Sequence, residues 1–308
     1  MKIGKIETKS DVFLAPMAGV SDVAFRELCR KFGAGLTTTE MVSVKGLYYN
    51  SKNSQKMLEI SPLEKPSVVQ LFGHEPKVFE EVFKKGILDK FDIIDLNMGC
   101  PAPKIWKNGD GSALLKNIDL AREIIETCVK FSGKPVMVKF RKGFGEHDDV
   151  LVEFAKMCEE AGASAITVHP RTTYQGYSGK IDVEDIAKVK RAVGIPVIGN
   201  GDVRNYDDYL KMKQTGCDAV MIGRGAVGHP ELFSECCGIS PPITGLDIAR
   251  EHIRIIRKYF DDNYIVKNFK RHAFSYVDGV GAVEKRKKIA FSKTAEELEQ
   301  VLFEKDIE

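Results

Sequence analysis

The sequence predicts an α/β fold, a (β/α)8 TIM barrel followed by a small C-terminal helical domain. Three observations predict it: eight short apolar or β-branched runs recur through the first 228 residues, helical periodicity separates most of them, and the strand signal ceases near residue 238. Buried strands of a parallel sheet read as continuous apolar runs, and eight strand–helix units are the number that closes a barrel. A doubly wound open sheet is the alternative. The count of eight and the polar chemistry at nearly every strand end favour the barrel.

The runs are residues 12–15, 36–41, 68–72, 93–97, 135–140, 165–169, 196–199 and 219–223. The first is stopped by Pro16, the second holds three consecutive threonines, and the third carries Gln70 among apolar neighbours. The fourth breaks at Gly99 and Pro101, which hold Cys100 between them, and the fifth contains Lys139. The sixth ends at His169, the seventh at Gly199-Asn200-Gly201-Asp202 and the eighth at Gly223-Arg224-Gly225. Between them, Val78, Val82 and Phe83 mark one helical face, Leu120, Ile124, Ile125 and Val129 a second, and Val150, Phe154, Met157 and Cys158 a third. Residues 182–192 and 205–215 follow the same period. Gly238-Ile239-Ser240-Pro241-Pro242 reads as a linker, so the expected domains are a barrel over 1–238 and a helical unit over 243–308. Helices are expected at 248–260, 263–277, 282–290 and 294–304, the last opened by a Thr294/Glu297 capping box.

Composition bounds the function classes. Of 308 residues, 43% are hydrophobic and 29% charged, as in ordinary soluble globular proteins. The first residues lack the apolar core of a signal peptide and no run is long enough to span a membrane, so a soluble cytoplasmic protein is expected, and a monomer. Seven cysteines without a regular framework fit a reducing compartment, with Cys236 and Cys237 expected on a helix surface. No His/Cys spacing suits a metal, and Gly33-Ala34-Gly35 does not open a helix after a strand, so no Rossmann site is expected. Residues 250–293 hold 12 Lys/Arg against 5 Asp/Glu, whereas the preceding 249 residues are neutral. Such a block fits either a polyanion-binding surface or a solvated helical face.

The strand ends carry the chemistry. Barrel strands point their carboxyl ends at the active site, so Cys100 offers a thiol there that can give or take a proton, with Asn97 able to reach the same mouth. A buried structural cysteine is the competing reading of that residue alone. The glycine-rich seventh and eighth ends, with Arg224, suit a phosphate, because glycines let backbone N–H groups approach it closely. Lys139 is costly to bury unless an anion faces it, either a ligand or a barrel carboxylate. Phosphate site, inward lysine, Gln70 and the Pro16-Met17-Ala18 turn together suit flavin mononucleotide (FMN), the lysine neutralising the N1/O2 edge of the reduced ring.

Several motifs carry a resemblance: residues 15–22 (Ala-Pro-Met-Ala-Gly-Val-Ser-Asp), residues 95–101 (Asp-Leu-Asn-Met-Gly-Cys-Pro), Gly111-Ser112-Ala113-Leu114-Leu115, Lys139-Phe140-Arg141, His169-Pro170-Arg171-Thr172, Asn200-Gly201-Asp202 and Met221-Ile222-Gly223-Arg224. In order and register, the chain resembles the bacterial tRNA-dihydrouridine synthases, and Asn-x-Gly-Cys-Pro is the most specific element. The resemblance implies reduction of selected uridines in tRNA to 5,6-dihydrouridine with FMN and NADPH, the flavin N5 giving a hydride to C6 and Cys100 a proton to C5. It assigns Pro16, Met17, Ala18, Gln70, Lys139, His169, Asn200, Gly201, Asp202, Gly223 and Arg224 to FMN. Asn97 and Arg171 fall to the uracil, with Arg141, Lys285 and Arg286 among the further substrate contacts. Two residues depart from the family pattern, Pro170 and Asp110, each standing where a small residue is usual.

Two other functions compete. An FMN barrel acting on a free pyrimidine, like dihydroorotate dehydrogenase, would share the phosphate site and the lysine but has no need of a basic helical appendage. A non-catalytic RNA-binding barrel would have no use for Cys100, Lys139 and Arg224 together.

Overall fold

The apolar runs become strands because each can bury both of its faces, one toward the barrel axis and one toward the surrounding helices. The computed structural model describes residues 1–277 and 281–304. Residues 278–280 and 305–308, parts of the expected 243–308 helical unit, lie outside the described residues. The strands are β1 (Lys2–Ile3), β2 (Ile6–Glu7), β3 (Val12–Leu14), β4 (Leu36–Thr37), β5 (Val42–Ser43), β6 (Val68–Phe72), β7 (Ile93–Met98), β8 (Val136–Arg141), β9 (Ala165–His169), β10 (Val197–Asn200) and β11 (Ala219–Ile222). β1 and β2 form an antiparallel hairpin, and the other nine form one parallel sheet in the order β4-β3-β11-β10-β9-β8-β7-β6-β5.

The second expected run, 36–41, is corrected by the structure: it is split into β4 and β5, which makes nine pieces of eight strand positions. Past the Thr38 bridge and the Thr39 N–H bond to the Val68 carbonyl at 3.1 Å, regular pairing lapses, and side chains make the hydrogen bonds here. Thr39 Oγ1 accepts from the N–H of Gln70 at 3.0 Å, and Glu40 accepts from the N–H of Gly19. A single parallel bridge from Thr38 to Val68 joins the two ends of the sheet and closes the ring.

Strand alternation then sorts the barrel interior by height. Phe13, Leu36, Val68, Ile93, Met137, Ala165, Ile198 and Ala219 form an apolar lower layer, with Ile3 of the hairpin inserted among them. Two residues further along the same faces stand Gln70, Asp95, Lys139, Thr167 and Asn200. The lower layer is a packed core; the upper layer is polar, and it opens at the carboxyl ends.

Helices Val23–Lys31, Pro76–Lys84, Ile118–Ser132, Leu151–Glu160, Glu184–Ala192 and Tyr206–Lys213 cover the outside. On Ile118–Ser132 the buried face is Ala121, Ile124, Ile125 and Cys128, and the expected Val129 is 36% exposed, since 100° per residue carries it off that stripe. Cys236, expected on a surface, is buried beneath the Glu231–Cys236 helix. The C-terminal region is helical. Leu246–Tyr259 lies against Val23–Lys31, and a helix with a π turn (Ile265–Phe269), Ala282–Phe291 and Ala295–Phe303 follow. Its Ile248, Ile253, Ile255 and Ile256 belong to the same apolar cluster as Phe25 and Leu28 of the barrel helix. Thr294 Oγ1 caps the N–H of Glu297 at 3.2 Å as expected, but the Glu297 carboxylate returns to the N–H of Lys293 at 2.7 Å, one residue before the cap. Among the described residues no helix is long and apolar enough to cross a membrane.

Candidate active site

The polar upper layer lines a cavity of about 420 Å³ at the carboxyl ends of the strands. Its floor is a linked set of side chains. Lys139 Nζ donates to Asn200 Oδ1 at 2.8 Å, and Asn200 Nδ2 donates to the carbonyl of Met221 at 2.8 Å. Across the barrel, Gln70 Nε2 donates to Asp95 Oδ2 at 2.7 Å and Asn97 Nδ2 to Gln70 Oε1 at 2.9 Å. Burial lowers the Lys139 ammonium to about 8, helped by the like charge of Arg141 and opposed by Asp95, so it remains a cation at neutral pH.

Cys100 sits on the wall. Asn97 Oδ1 accepts from the N–H groups of Gly99 at 3.2 Å and Cys100 at 2.9 Å, which turns the chain sharply after β7. The Cys100 carbonyl accepts from Ser112 Oγ at 2.8 Å, and Arg141 Nε donates to the Gly99 carbonyl at 2.8 Å. Gly111, at φ +59°, comes so close that a Cβ there would lie 3.1 Å from Cys100 Cβ, so only glycine fits this turn. Asp110 beside it meets His74 Nδ1 at 2.7 Å. Burial pushes the Cys100 thiol up, against the nearby cations Arg141 and Lys139, so the sulfur carries its proton at neutral pH.

The opposite wall is cationic. Arg171 is 2% exposed and forks onto Asp202 at 3.0 and 2.5 Å, while its Nε donates to the carbonyl of Ser178 at 3.0 Å. Burial works to raise the Asp202 carboxyl, but the hydrogen bond and charge of Arg171 outweigh it and hold the group below its ordinary value. Arg224 is half exposed, 3.3 Å from Asp202 and over the ring of Tyr177. Burial, reinforced by Lys139, Arg141 and Arg171, lowers His169 well below its usual range, so the imidazole is neutral.

Of the residues expected from sequence, Cys100, Pro16, Met17, Ala18, Gln70, Lys139, His169, Asn200, Gly201, Asp202, Gly223, Arg224, Asn97, Arg141 and Arg171 all line this one cavity. Lys285 and Arg286 do not. They lie on the Ala282–Phe291 helix, where Lys285 Nζ reaches the carbonyl of Glu304 at 2.9 Å and Arg286 donates to the carbonyls of Phe274 and Val277 at 2.9 and 2.5 Å. Sequence reasoning missed Met41, Tyr177, Val203 and Arg204 in the lining. Tyr177 had a usable signal, an aromatic ring in the glycine-flanked loop 175–179; Met41 had none, since it lies in the run expected to be a continuous strand.

A closed parallel barrel with a cationic, amide-lined cavity and a thiol at its mouth is the architecture of a barrel enzyme whose site can take an anionic ligand. The chain belongs to the dihydrouridine synthase family: the family model described as dihydrouridine synthase (Dus) matches residues 13–307. A probable tRNA-dihydrouridine synthase of Rickettsia conorii is 40% identical over 291 residues, covering 91% of this chain and 88% of that one. tRNA-dihydrouridine synthase B of Pseudomonas aeruginosa is 36% identical over 287 residues, covering 90% and 86%. Among solved structures, morphinone reductase in complex with tetrahydroNAD superposes with a TM-score of 0.54 at 11% identity, over 79% of this chain and 91% of that one. The old yellow enzyme homologue from Zymomonas mobilis gives 0.52 at 14%, over 79% and 93%. These likenesses are of fold.

Proposed function

We propose that this protein reduces uridines of tRNA to 5,6-dihydrouridine, with FMN as its bound cofactor and NADPH as the reductant. The observation that carries the proposal is the place of the Cys100 thiol on the wall of a cavity whose other lining residues fit a flavin, in a chain of this family. The residues present fit FMN. Lys139 offers a buried ammonium whose hydrogen-bond partner among the described residues is a neutral amide, and Arg224 offers a half-exposed guanidinium beside glycines. A Cβ on Gly223 would meet only Ala15 and Met17 at 3.6 Å, so this backbone faces the cavity without obstruction.

When bound, FMN supplies the hydride that reduces the 5,6 double bond. This chain's residues do the rest. Gly223, Arg224, Asn200 and Gly201 hold the phosphate end, and Lys139, Gln70 and the Pro16–Ala18 turn hold the ring. Neutral His169 contributes a hydrogen bond rather than a second charge. Asn97, with Arg141 and Arg171 behind the loops, orients the uracil, which must leave its stack to enter the cavity. Cys100 delivers a proton to C5 as negative charge develops on the base. The helical C-terminal unit, residues 243–308, engages the tRNA through phosphates and shape, with Lys285 and Arg286 on its surface. A soluble protein acting as a monomer in the cytoplasm fits that substrate.

An absorbance spectrum tests the proposal. Purified protein should show a flavin that bleaches with NADPH under anaerobic conditions and returns on adding unmodified tRNA. Reoxidation by free pyrimidines alone would replace the proposal with the small-molecule reading.

A further inference from the structure

Asp95 is a carboxylate in the middle of an apolar strand, and the reaction proposed above gives it no task. It is fully buried on β7, two residues before Asn97. From it a chain of hydrogen bonds runs to the catalytic loop. Gln70 Nε2 donates to Asp95 Oδ2 at 2.7 Å, Asn97 Nδ2 donates to Gln70 Oε1 at 2.9 Å, and the N–H of Cys100 donates to Asn97 Oδ1 at 2.9 Å. Each side-chain amide is bifunctional, so either end could face either neighbour, whereas an ionised carboxylate only accepts. Asp95 therefore obliges Gln70 to turn its NH2 toward Asp95 and its oxygen toward Asn97, two residues further along the same strand. That oxygen in turn obliges Asn97 to offer its NH2 to Gln70 and its own oxygen to the N–H groups of Gly99 and Cys100.

We propose that Asp95 is a positioning residue for the proton donor: its ionised carboxylate fixes the direction of the chain Asp95–Gln70–Asn97–Cys100 and so holds the Cys100 loop in its working geometry. The proposal rests on Cys100 being the donor. The direction is reversible. A protonated Asp95 can donate, Gln70 then turns its oxygen to it, and Asn97 must answer the Gln70 NH2 with the oxygen that now holds Gly99 and Cys100. Burial raises the Asp95 carboxyl to about 6, against the hydrogen bond from Gln70 on β6 and the charge of Lys139 on β8, the charged group that faces it. The chain thus keeps its working direction at neutral pH and loses it in mild acid.

The test is the rate at which iodoacetamide alkylates Cys100 in the flavin-loaded enzyme. It is followed on the Cys100 peptide by mass spectrometry from about pH 5 to about pH 8, the range in which such a carboxyl titrates. Corrected for thiolate fraction, the wild-type rate should step by about fivefold near the Asp95 titration, the worth of one hydrogen bond. Asp95→Asn keeps the shape but can point either way, so the step should vanish. Gln70→Met cuts the chain, and in that background Asp95→Asn should have no further effect. A wild-type profile without a step, or an Asp95→Asn effect undiminished by Gln70→Met, overturns the proposal. The donor role itself is read separately, on turnover of Cys100→Ala, so the two failures are distinguishable.

Discussion

At the scale of the residue, the surroundings of Cys100 keep its thiol protonated, which the proposed acid role requires. Reactive thiolates sit in exposed, electropositive places. Here burial outweighs the neighbouring Arg141 and Lys139, and the thiol is raised above its ordinary value of 9.0. Cys100→Ala should therefore keep its flavin and its fold and lose about 100-fold or more in dihydrouridine formation, the usual contribution of a positioned acid. Near-wild-type turnover measured on tRNA would remove the thiol from the mechanism. The same shift sets the pH dependence. Because the pKa is raised, alkylation of the Cys100 thiol by iodoacetamide should begin to rise only at a higher pH than for an ordinary thiol. An alkylation rate already rising at pH 8, where an ordinary thiol begins to ionise, would contradict the buried environment.

At the scale of the element, the turn after β3 shows how the helical region reaches into the site. Residues 16–22 have few ladder bonds of their own, and the C-terminal helices supply them. Arg271 donates to the Gly19 carbonyl at 3.0 Å, His272 Nε2 meets the Val20 carbonyl at 3.1 Å, and Tyr264 Oη donates to Asp22 at 2.7 Å. Asp22 in turn caps the Val23–Lys31 helix through the N–H of Phe25 at 2.9 Å. The turn that offers Pro16, Met17 and Ala18 to the cavity is thus gripped from outside the barrel. Arg271→Ala, a substitution on an exposed side chain, should change thermal stability little yet accelerate flavin release about fivefold, as loss of one charge-assisted hydrogen bond predicts. Flavin fluorescence recovered on dilution measures this, and an unchanged release rate would show that the turn holds itself.

At the scale of the whole molecule, the basic block is less of a free surface than its charge count suggests. Arg257 pairs with Glu299 at 2.5 Å and Lys258 with Glu27 of the barrel, while Lys270 is turned onto the carbonyls of Ala290 and Ser292. Much of the positive charge therefore fastens helices to one another and to the barrel. The Ala282–Phe291 helix differs, because Lys287 and Lys288 are more than half exposed and their carboxylate neighbours lie at 3.5 and 3.9 Å, contacts too open to hold them. Replacing Lys285, Lys287 and Lys288 by Gln while leaving Arg286 in its structural role should weaken tRNA binding. It should also lower the slope of log K against log salt by about 2. A slope equal to wild type in filter binding would place the RNA on another face.

By itself the sequence determined the barrel, its eight strand positions and the identity of most of the polar side chains in the cavity. A buried parallel strand must be apolar on both faces, so the few polar residues in such runs, Gln70, Asp95, Asn97, Lys139 and His169, stand out locally. The tertiary structure alone decided what those residues do to one another. The split at 38–41, the direction of the chain from Asp95 to Cys100, and the hold of Arg271 and His272 on the turn all pair residues far apart in sequence. Periodicity reports which face a side chain takes and is silent about its partner across the barrel. The charge of the tail was legible for the same local reason, and its consumption in ion pairs was not, because a carboxylate such as Glu27 comes beside Lys258 only once the helices pack.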